Sequence, residues 1–205
     1  MKTILLTGFE PFGGSSINPS QQIALALDSQ KVGQCQVVAE ILPVDRYEAP
    51  KKLLACIEKY LPAVVVCLGE ASRRAAISIE RIAINLMDYR IPDNSGDRVL
   101  DQPVITGSPD AYFSTLPVRE IYEEILAAGI PVELSVTAGT FLCNQVFYEG
   151  RHFVAGMDKP IPLGFIHLPA LPEQAALDST PFASMGLEMD IRAIRLALDV
   201  VARIL

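Results

Sequence analysis

The sequence has few side chains that could bind a metal ion. Its 205 residues include only four cysteines and two histidines, and the cysteines lie far apart, without a C-x-x-C pair. Zinc sites commonly draw their ligands from such pairs. We therefore expect no metal site, and we expect reduced thiols, as in a cytoplasmic protein. The cysteines are Cys35, Cys56, Cys67 and Cys143, and the histidines are His152 and His167.

The sequence also lacks a basic stripe and a long apolar run. Lysine and arginine are not clustered, and the formal charge of -7 argues against nucleic acid or an anionic membrane as a partner. The apolar residues near the N-terminus are too few for a signal peptide, and no other run approaches the length of a membrane span. We expect a soluble cytoplasmic protein.

The chain contains enough apolar residues for one core. Of all residues in the chain, 50% are apolar. The length fits a single domain over residues 1–205. Strand and helix patterns alternate along it. The predicted strands are residues 2–7, 35–42, 62–69, 75–85, 131–137 and 161–169. The predicted helices are residues 21–27, 46–60 with Asp45 as the cap, 118–126, 143–153 and a closing helix around 191–201.

This alternation predicts an α/β fold, a single-domain α/β/α sandwich around a twisted, mixed and largely parallel sheet. The run 62–69 is continuously apolar, which is typical of a mid-sheet strand covered on both faces. Residues 75–85 alternate more clearly, and the apolar positions from Val118 to Leu126 share one helical face. In such folds we expect the site at the carboxyl ends of the strands.

Cys143 is a candidate nucleophile. It follows the small-residue turn of "TAGTFL" and stands at the start of a predicted helix. A thiol there faces free backbone N–H groups and the positive end of the helix dipole, which can lower its pKa and bind an oxyanion. The alternative is a buried structural thiol, which is common for free cysteine.

A cysteine nucleophile needs a base, and the two histidines differ in their placement. His167 follows the apolar "GFI" and precedes Leu168 and Pro169, so it sits where a strand gives way to a loop. His152 lies late in a polar helix, which is typical of a solvated surface residue. We favour His167 as the base.

The imidazole needs an orienting acceptor, and Glu80 is a carboxylate inside the apolar "ISIERIAIN". An unpaired buried charge is costly, so such a residue often has a function. The structural alternatives are an ion pair with Arg81 or Arg90, or an outward-facing position on the strand. The residues alone leave these alternatives open.

Four segments resemble pyroglutamyl peptidase type I, also called pyrrolidone carboxyl peptidase. They are "TGFEPFGG…NPS", "ERIAIN…RIPDN", "TAGTFLCNQVFY" and "GFIHLPALPEQ", in one order over nearly the whole chain. The resemblance implies a cysteine peptidase without metal or cofactor that removes N-terminal pyroglutamate from peptides. It also implies an α/β sandwich that assembles as a homotetramer. Its nucleophile, base and orienting carboxylate fall on Cys143, His167 and Glu80.

The resemblance further implies how the substrate is held. The oxyanion is assigned to the backbone N–H of Cys143 and to Arg90 of "RIPDN". The pyroglutamyl ring is small, uncharged and without an ammonium group, which suits an apolar pocket with few polar contacts. The implied pocket residues are Phe9 and Phe12, closing over the ring, with Phe141, Leu142, Ile91 and the polar Asn18.

One segment departs from the family pattern. Where the family commonly has "GQAGGR", residues 69–74 read "GEASRR", so a pocket amide becomes Glu70. That carboxylate could pair with Arg73 or Arg74, stay protonated through burial, or attract a free amine. Tyr89, where alanine is usual, is a second departure.

Two other functions remain possible at this point. A non-catalytic binding protein could keep the pocket without turnover, although Cys143, His167 and Glu80 are all present. A nucleoside phosphorylase has a similar sandwich, but its phosphate site needs basic or hydroxyl clusters, and no such cluster stands out in the sequence. The glycine-rich "TGFEPFGG" lacks the Gly-Lys-Ser/Thr ending of a phosphate loop.

Overall fold

The computed structural model of the chain describes residues 1–180 and 182–205. Its strands are β1 (Lys2–Phe9), β2 (Lys31–Val32), β3 (Cys35–Leu42), β4 (Val64–Glu70), β5 (Ile77–Glu80), β6 (Ile82–Ile84), β7 (Ala111–Phe113), β8 (Val132–Ser135) and β9 (Leu163–Leu168). Its helices are α1 (Pro19–Leu27), α2 (Glu48–Tyr60), α3 (Val118–Ala127), α4 (Leu142–Ala155), α5 (Pro172–Leu177) and α6 (Leu187–Arg203). The short elements β2, β7 and α5 were not predicted.

Seven strands form the central sheet in the order β2-β3-β1-β4-β9-β5-β8. The pairs β1–β3, β1–β4, β4–β9 and β5–β8 are parallel, whereas β2–β3 and β5–β9 are antiparallel. The prediction of a mixed, largely parallel sheet is therefore confirmed.

Helices cover both faces of this sheet. One face packs its alternate side chains, such as Val66 of β4, with α1, α3 and α6. The other face packs the intervening side chains, such as Val65, with α2 and α4. The run 62–69 accordingly becomes a mid-sheet strand, β4, that is apolar because both of its faces are buried, and the α/β/α sandwich is confirmed.

The prediction of one strand over residues 75–85 was wrong. The chain divides at Arg81: β5 joins the central sheet, whereas β6 pairs antiparallel with β7 in a separate two-stranded sheet. Asn144 of α4 holds β6 in its separate position. Its side chain accepts from the N–H of Ile84 at 2.9 Å and donates to the carbonyl of Ile84 at 2.9 Å. Every residue of β5 is buried, so the apparent alternation did not mark a solvent-facing side.

The buried face of α3 is narrower than predicted. Ile121 and Ile125 are fully buried, but Leu126 is 50% exposed. The helix ends at Ala127, so Leu126 lies at its edge and only the stripe nearest α6 and the sheet is covered.

Candidate active site

A cavity of about 330 Å³ opens at the carboxyl ends of β1, β4 and β9. All the site residues predicted from the sequence line it, except Glu80, which lies behind its wall. They are Phe9, Phe12, Asn18, Glu70, Arg90, Ile91, Phe141, Leu142, Cys143 and His167. The fold thus brings together residues from five separate parts of the chain.

Cys143 is the second residue of α4 and is partly exposed. The helix begins at Leu142 without a capping side chain. Since the first N–H groups of a helix have no intrahelical acceptor, the N–H of Cys143 is free to bind a ligand. The structure therefore places the thiol at a helix start, as predicted.

Gly69 allows the thiol to approach the sheet. A Cβ atom on Gly69 would lie 2.9 Å from Sγ of Cys143, which is shorter than any relaxed contact. Gly69 of β4 is also the register partner of His167 on β9. Because registered residues of neighbouring strands project to the same face, the sulfur and the imidazole lie on one face of the sheet, one strand apart.

His167 and Glu80 are in direct contact. Nδ1 of His167 lies 2.8 Å from Oε1 of Glu80, and the residues are 4% and 0% exposed. The contact follows from register, because Glu80 is opposite Phe165 and His167 is opposite Ser78, a diagonal cross-strand pair on one face. A carboxylate only accepts, so Nδ1 carries the proton and Nε2 is left as an acceptor.

The structural alternatives considered for Glu80 are not observed. Its carboxylate faces the protein interior, and its cationic partner is Arg74, whose guanidinium nitrogen lies 2.6 Å from the same Oε1. Arg81 and Arg90 are not its partners in the residues described. Arg90 instead lines the cavity with its exposed side chain.

The thiol of Cys143 is held in its protonated form in the free protein. Burial, followed by the charges of Glu80 and Glu70, raises the pKa of Cys143 to about 12, against a smaller lowering by Arg74. The expected lowering of this pKa is therefore outweighed by desolvation and two carboxylates. Reaction at neutral pH then requires a base that takes the thiol proton.

Two polar residues that follow Cys143 anchor the start of α4. Asn144 holds β6, and Gln145 donates from Nε2 to the carbonyl of Arg46 at 2.7 Å while accepting from the hydroxyl of Tyr89. We did not predict these roles. Their signal was present, because both are amides on the buried side of a mostly apolar helix.

His152 lies outside the cavity. We predicted a solvated side chain, but His152 is half-buried. Its Nδ1 lies 2.9 Å from the hydroxyl of Tyr112. This contact explains its burial without a role in the site.

Aromatic side chains form the walls of the cavity. The ring of Phe12 lies 6.2 Å from that of Phe141, and Tyr89 packs edge-on against Phe141 at 4.5 Å. Phe9 ends β1 and packs on Phe165 at 6.5 Å, so it forms part of the floor. Tyr89 is fully buried and therefore supports the wall from behind.

The polar lining consists partly of side chains that already have partners. Asn18 caps α1, where its Oδ1 accepts from the N–H of Ser20 at 2.9 Å. Glu70 accepts from Nε2 of Gln174 at 3.1 Å at each of its oxygens, so it does not pair with Arg73 or Arg74. Burial raises the pKa of Glu70.

No helix within residues 1–180 and 182–205 is long and apolar enough to cross a membrane.

Comparison with known sequences gives matches over the whole chain. A sequence model of pyroglutamyl peptidases matches residues 2–204. The pyrrolidone-carboxylate peptidase of Coprothermobacter proteolyticus is 44% identical over 202 residues, which cover 98% of each chain. That of Gloeobacter violaceus is 49% identical over 96% of this chain and 95% of its own.

Solved structures give the same result. Pyroglutamyl peptidase I of Bacillus amyloliquefaciens superposes with a TM-score of 0.95 at 37% identity, covering 99% of this chain and 98% of that one. The pyrrolidone carboxyl peptidase of Thermococcus litoralis superposes with a TM-score of 0.96 at 41% identity, covering 99% of this chain and 94% of that one.

Proposed function

Because the chain belongs to the pyroglutamyl peptidase family, we propose that its cavity binds the pyroglutamyl residue at the N-terminus of a peptide and that Cys143 attacks the following amide bond. Members of this family are cysteine peptidases, and so is this chain. One observation carries the assignment of roles: the hydrogen bond between His167 and Glu80 lies on the same sheet face as the thiol of Cys143.

His167 acts as the general base. Its Nδ1–H donates to Glu80, which leaves Nε2 to accept the thiol proton. Since burial and two carboxylates raise the pKa of Cys143, the sulfur needs His167 to take its proton before it can complete its attack. Glu80 then stabilises the imidazolium ion that forms.

The oxyanion formed by this attack is stabilised at the start of α4. The N–H of Cys143 points out of an uncapped helix end, and Arg90 lines the same cavity. A well-placed donor of this kind contributes roughly 3 kcal/mol to stabilising the transition state. We assign the oxyanion to these two groups.

The remaining steps return the enzyme to its starting state. The imidazolium of His167 gives its proton to the leaving amine, so that the C–N bond breaks and a pyroglutamyl thioester remains on Cys143. Water, deprotonated by His167, then attacks the thioester carbonyl. The C–S bond breaks, pyroglutamate leaves, and the sulfur recovers its proton.

The shape and polarity of the cavity suit the neutral ring. Phe12, Phe141, Ile91 and Leu142 supply apolar surface close to Cys143, while the charged side chains stand elsewhere on the lining, and two of them, Glu70 and Arg74, already have partners. An apolar pocket of this kind stabilises an uncharged lactam and desolvates an ammonium group unfavourably.

The function is tested with a chromogenic pyroglutamyl amide under reducing conditions. We expect the wild-type protein to release the chromophore and Cys143→Ser to be almost inactive. His167→Ala should lower kcat by at least about 10²-fold, as for a lost general base, whereas His152→Ala should retain activity. Equal losses in the two histidine variants, or an active Cys143→Ser, would contradict the assignment.

A non-catalytic binding function is the second candidate, and it would follow if the wild-type protein bound the amide without cleaving it. The intact contact between His167 and Glu80 supports catalysis instead. We also propose that residues 1–205 act as one peptidase domain, supported by the family match over residues 2–204.

Location and assembly are further proposals. Three of the four thiols are buried and all four are unpaired, which suits the reducing cytoplasm. We propose a homotetramer, as the resemblance to the family implies, and exposed apolar side chains such as Phe113 and Val136, at 67% and 68% exposure, are available for contacts between subunits. Light scattering on the purified protein tests this, and a monomer would overturn it.

A further inference from the structure

Arg74 connects two parts of the site that are distant in the sequence. It lies in the segment between β4 and β5, and its side chain is 26% exposed. One guanidinium nitrogen donates to Oε1 of Glu80 at 2.6 Å, and the other donates to the carbonyl of Thr137 at 2.8 Å. A planar guanidinium can hold two acceptors in this fixed geometry, which an ammonium group cannot reproduce.

The first contact orients the carboxylate. Oε1 of Glu80 accepts from both Arg74 and His167, whereas Oε2 is buried without a partner among the described residues. Without Arg74, a fully buried carboxylate would keep its hydrogen bond to His167 and lose its ion pair with a guanidinium group. Such a group is free to rotate away from His167 or to take up a proton.

The second contact reaches the segment that carries the nucleophile. Thr137 lies between β8 and the turn that leads into α4, and its carbonyl also accepts from the hydroxyl of Ser135 at 3.1 Å. Arg74 therefore ties the carboxylate behind His167 to the backbone that leads to Cys143.

Arg74 also changes the charge felt by the thiol. Glu80 and Glu70 raise the pKa of Cys143, and Arg74 is the group that opposes them by lowering it. Among the described residues, the other charged or titratable side chains that line the cavity are His167, Arg73 and Arg90, and the buried Cys67 and Tyr89 also interact with the thiol of Cys143. Arg73 is bound to Asp178 at 2.9 Å, and Arg90 is exposed.

We propose that Arg74 is a positioning residue of the peptidase reaction, holding Glu80 against His167 and the segment before Cys143 in place beside that pair. The proposal rests on the function proposed above. In the sequence, Arg74 appeared only as a possible partner of Glu70, and the structure assigns it to Glu80 instead.

The test compares Arg74→Met, which keeps the length of the apolar stem, with Arg74→Lys, which keeps the charge but loses the two-pronged contact. The control is Arg203→Met. Arg203 also donates to a carboxylate at 2.6 Å, that of Glu124, but on the exposed surface away from the cavity. This control removes an ion pair of the same length without touching the site.

We expect Arg74→Met to lower kcat for a pyroglutamyl amide by roughly 10- to 100-fold, as for a lost charge-assisted hydrogen bond, with little change in KM. Arg74→Lys should recover part of kcat, and Arg203→Met should match the wild type. An unchanged kcat in Arg74→Met, or an equal loss in Arg74→Lys and Arg74→Met, would overturn the proposal.

A second readout does not depend on turnover. The rate of alkylation of Cys143 by iodoacetamide, measured against pH without substrate, should be displaced to higher pH in Arg74→Met by at least about half a pH unit, and not in Arg74→Lys. A merely structural role would leave this profile in place, and an undisplaced profile would overturn the proposal. If the wild-type protein did not cleave pyroglutamyl amides, the proposed function would fail while this profile still tested Arg74. Should Arg74→Met not fold, Arg74→Lys is compared with the wild type: we expect a lower kcat with little change in KM, because the contact to two acceptors is lost, and a wild-type kcat in Arg74→Lys would overturn the proposal.

Discussion

Gly69 lies directly beneath the sulfur of Cys143, at the point where β4 passes the first turn of α4. A methyl group at Gly69 would stand 2.9 Å from Sγ and 2.7 Å from Cζ of Phe165. The absence of a side chain at this position is what allows the thiol to lie close to the sheet, on the face from which His167 projects.

Gly69→Ala should therefore displace Cys143 and reduce activity. We expect kcat to fall by at least about tenfold, because small displacements of reacting groups are costly, and the free energy of unfolding to fall by about 1–3 kcal/mol from overpacking. Gly156→Ala is the control at the other end of α4, where the nearest contact of a Cβ is an ordinary 3.6 Å. Full activity in Gly69→Ala would show that the thiol does not need this space.

Iodoacetamide should label Cys143 before the other thiols. Cys35, Cys56 and Cys67 are 2%, 5% and 0% exposed, whereas Cys143 is partly exposed. Because the pKa of Cys143 is raised to about 12, the alkylation rate should rise about tenfold per pH unit between pH 7 and 10. Mass mapping of the labelled peptides measures both effects, and a pyroglutamyl inhibitor should slow the labelling.

If the alkylation rate of Cys143 instead reached a plateau below pH 7, the thiol would already be ionised at neutral pH. That result would contradict the raised pKa that burial and the carboxylates of Glu80 and Glu70 give to Cys143. Equal labelling of all four thiols in the folded protein would contradict the exposure of Cys143.

Glu70 should control the choice between lactams and free N-termini. The ionised carboxylate attracts an ammonium group, and the protonated form does not. Since burial raises the pKa of Glu70, the ratio of pyroglutamyl to glutaminyl amide hydrolysis should fall as pH rises through that pKa. In Glu70→Gln the ratio should be higher and independent of this titration.

The control for this comparison is Glu173→Gln, an exposed carboxylate beside Gln174. If Glu70→Gln left the ratio unchanged, Glu70 would not affect selectivity.

Asp190 should make the protein less stable as the pH rises. It is fully buried in α6, neither of its carboxylate oxygens has a partner in the described residues, and burial raises its pKa to about 7. The folded state therefore keeps a proton that the unfolded chain releases near pH 4, so the free energy of unfolding falls between about pH 4 and 7.

Asp190→Asn removes this titration. We expect its free energy of unfolding at pH 8 to exceed that of the wild type by up to about 4 kcal/mol, with a weaker pH dependence in urea titrations. Glu188→Gln, an exposed residue on the same first turn of α6, should leave the pH dependence unchanged. A wild-type protein that became more stable from pH 4 to 7 while Asp190→Asn did not would contradict the assignment.

The main features of the fold and of the candidate site were predictable where the type of a residue and its position within a helix or strand indicated the same role. The apolar run of β4 indicated a mid-sheet strand, and Cys143, His167 and Glu80 each stood out as a reactive or charged residue at the start of a helix or in an apolar strand. The family resemblance then selected among alternatives that the residues alone left open.

Other features depend on contacts that local pattern does not contain. The partner of Glu80 is Arg74, which lies outside any strand in the segment between β4 and β5, and no sequence pattern predicts this contact. The strand that begins after Arg81 is held by the side chain of Asn144, which is distant in the sequence and binds the backbone of Ile84. The raised pKa of Cys143 reflects the convergence of Glu70 and Glu80, and the helix start that carries the thiol gave no sign of it.

During turnover, the sulfur of Cys143 should carry the pyroglutamyl group as a thioester. Rapid acid quenching of the wild-type enzyme with a pyroglutamyl ester, followed by peptide mass mapping, detects this intermediate. We predict a pyroglutamyl adduct on the peptide that contains Cys143, and its absence in Cys143→Ser. Steady hydrolysis that persisted in Cys143→Ser, with no adduct at this position in the wild type, would contradict the account.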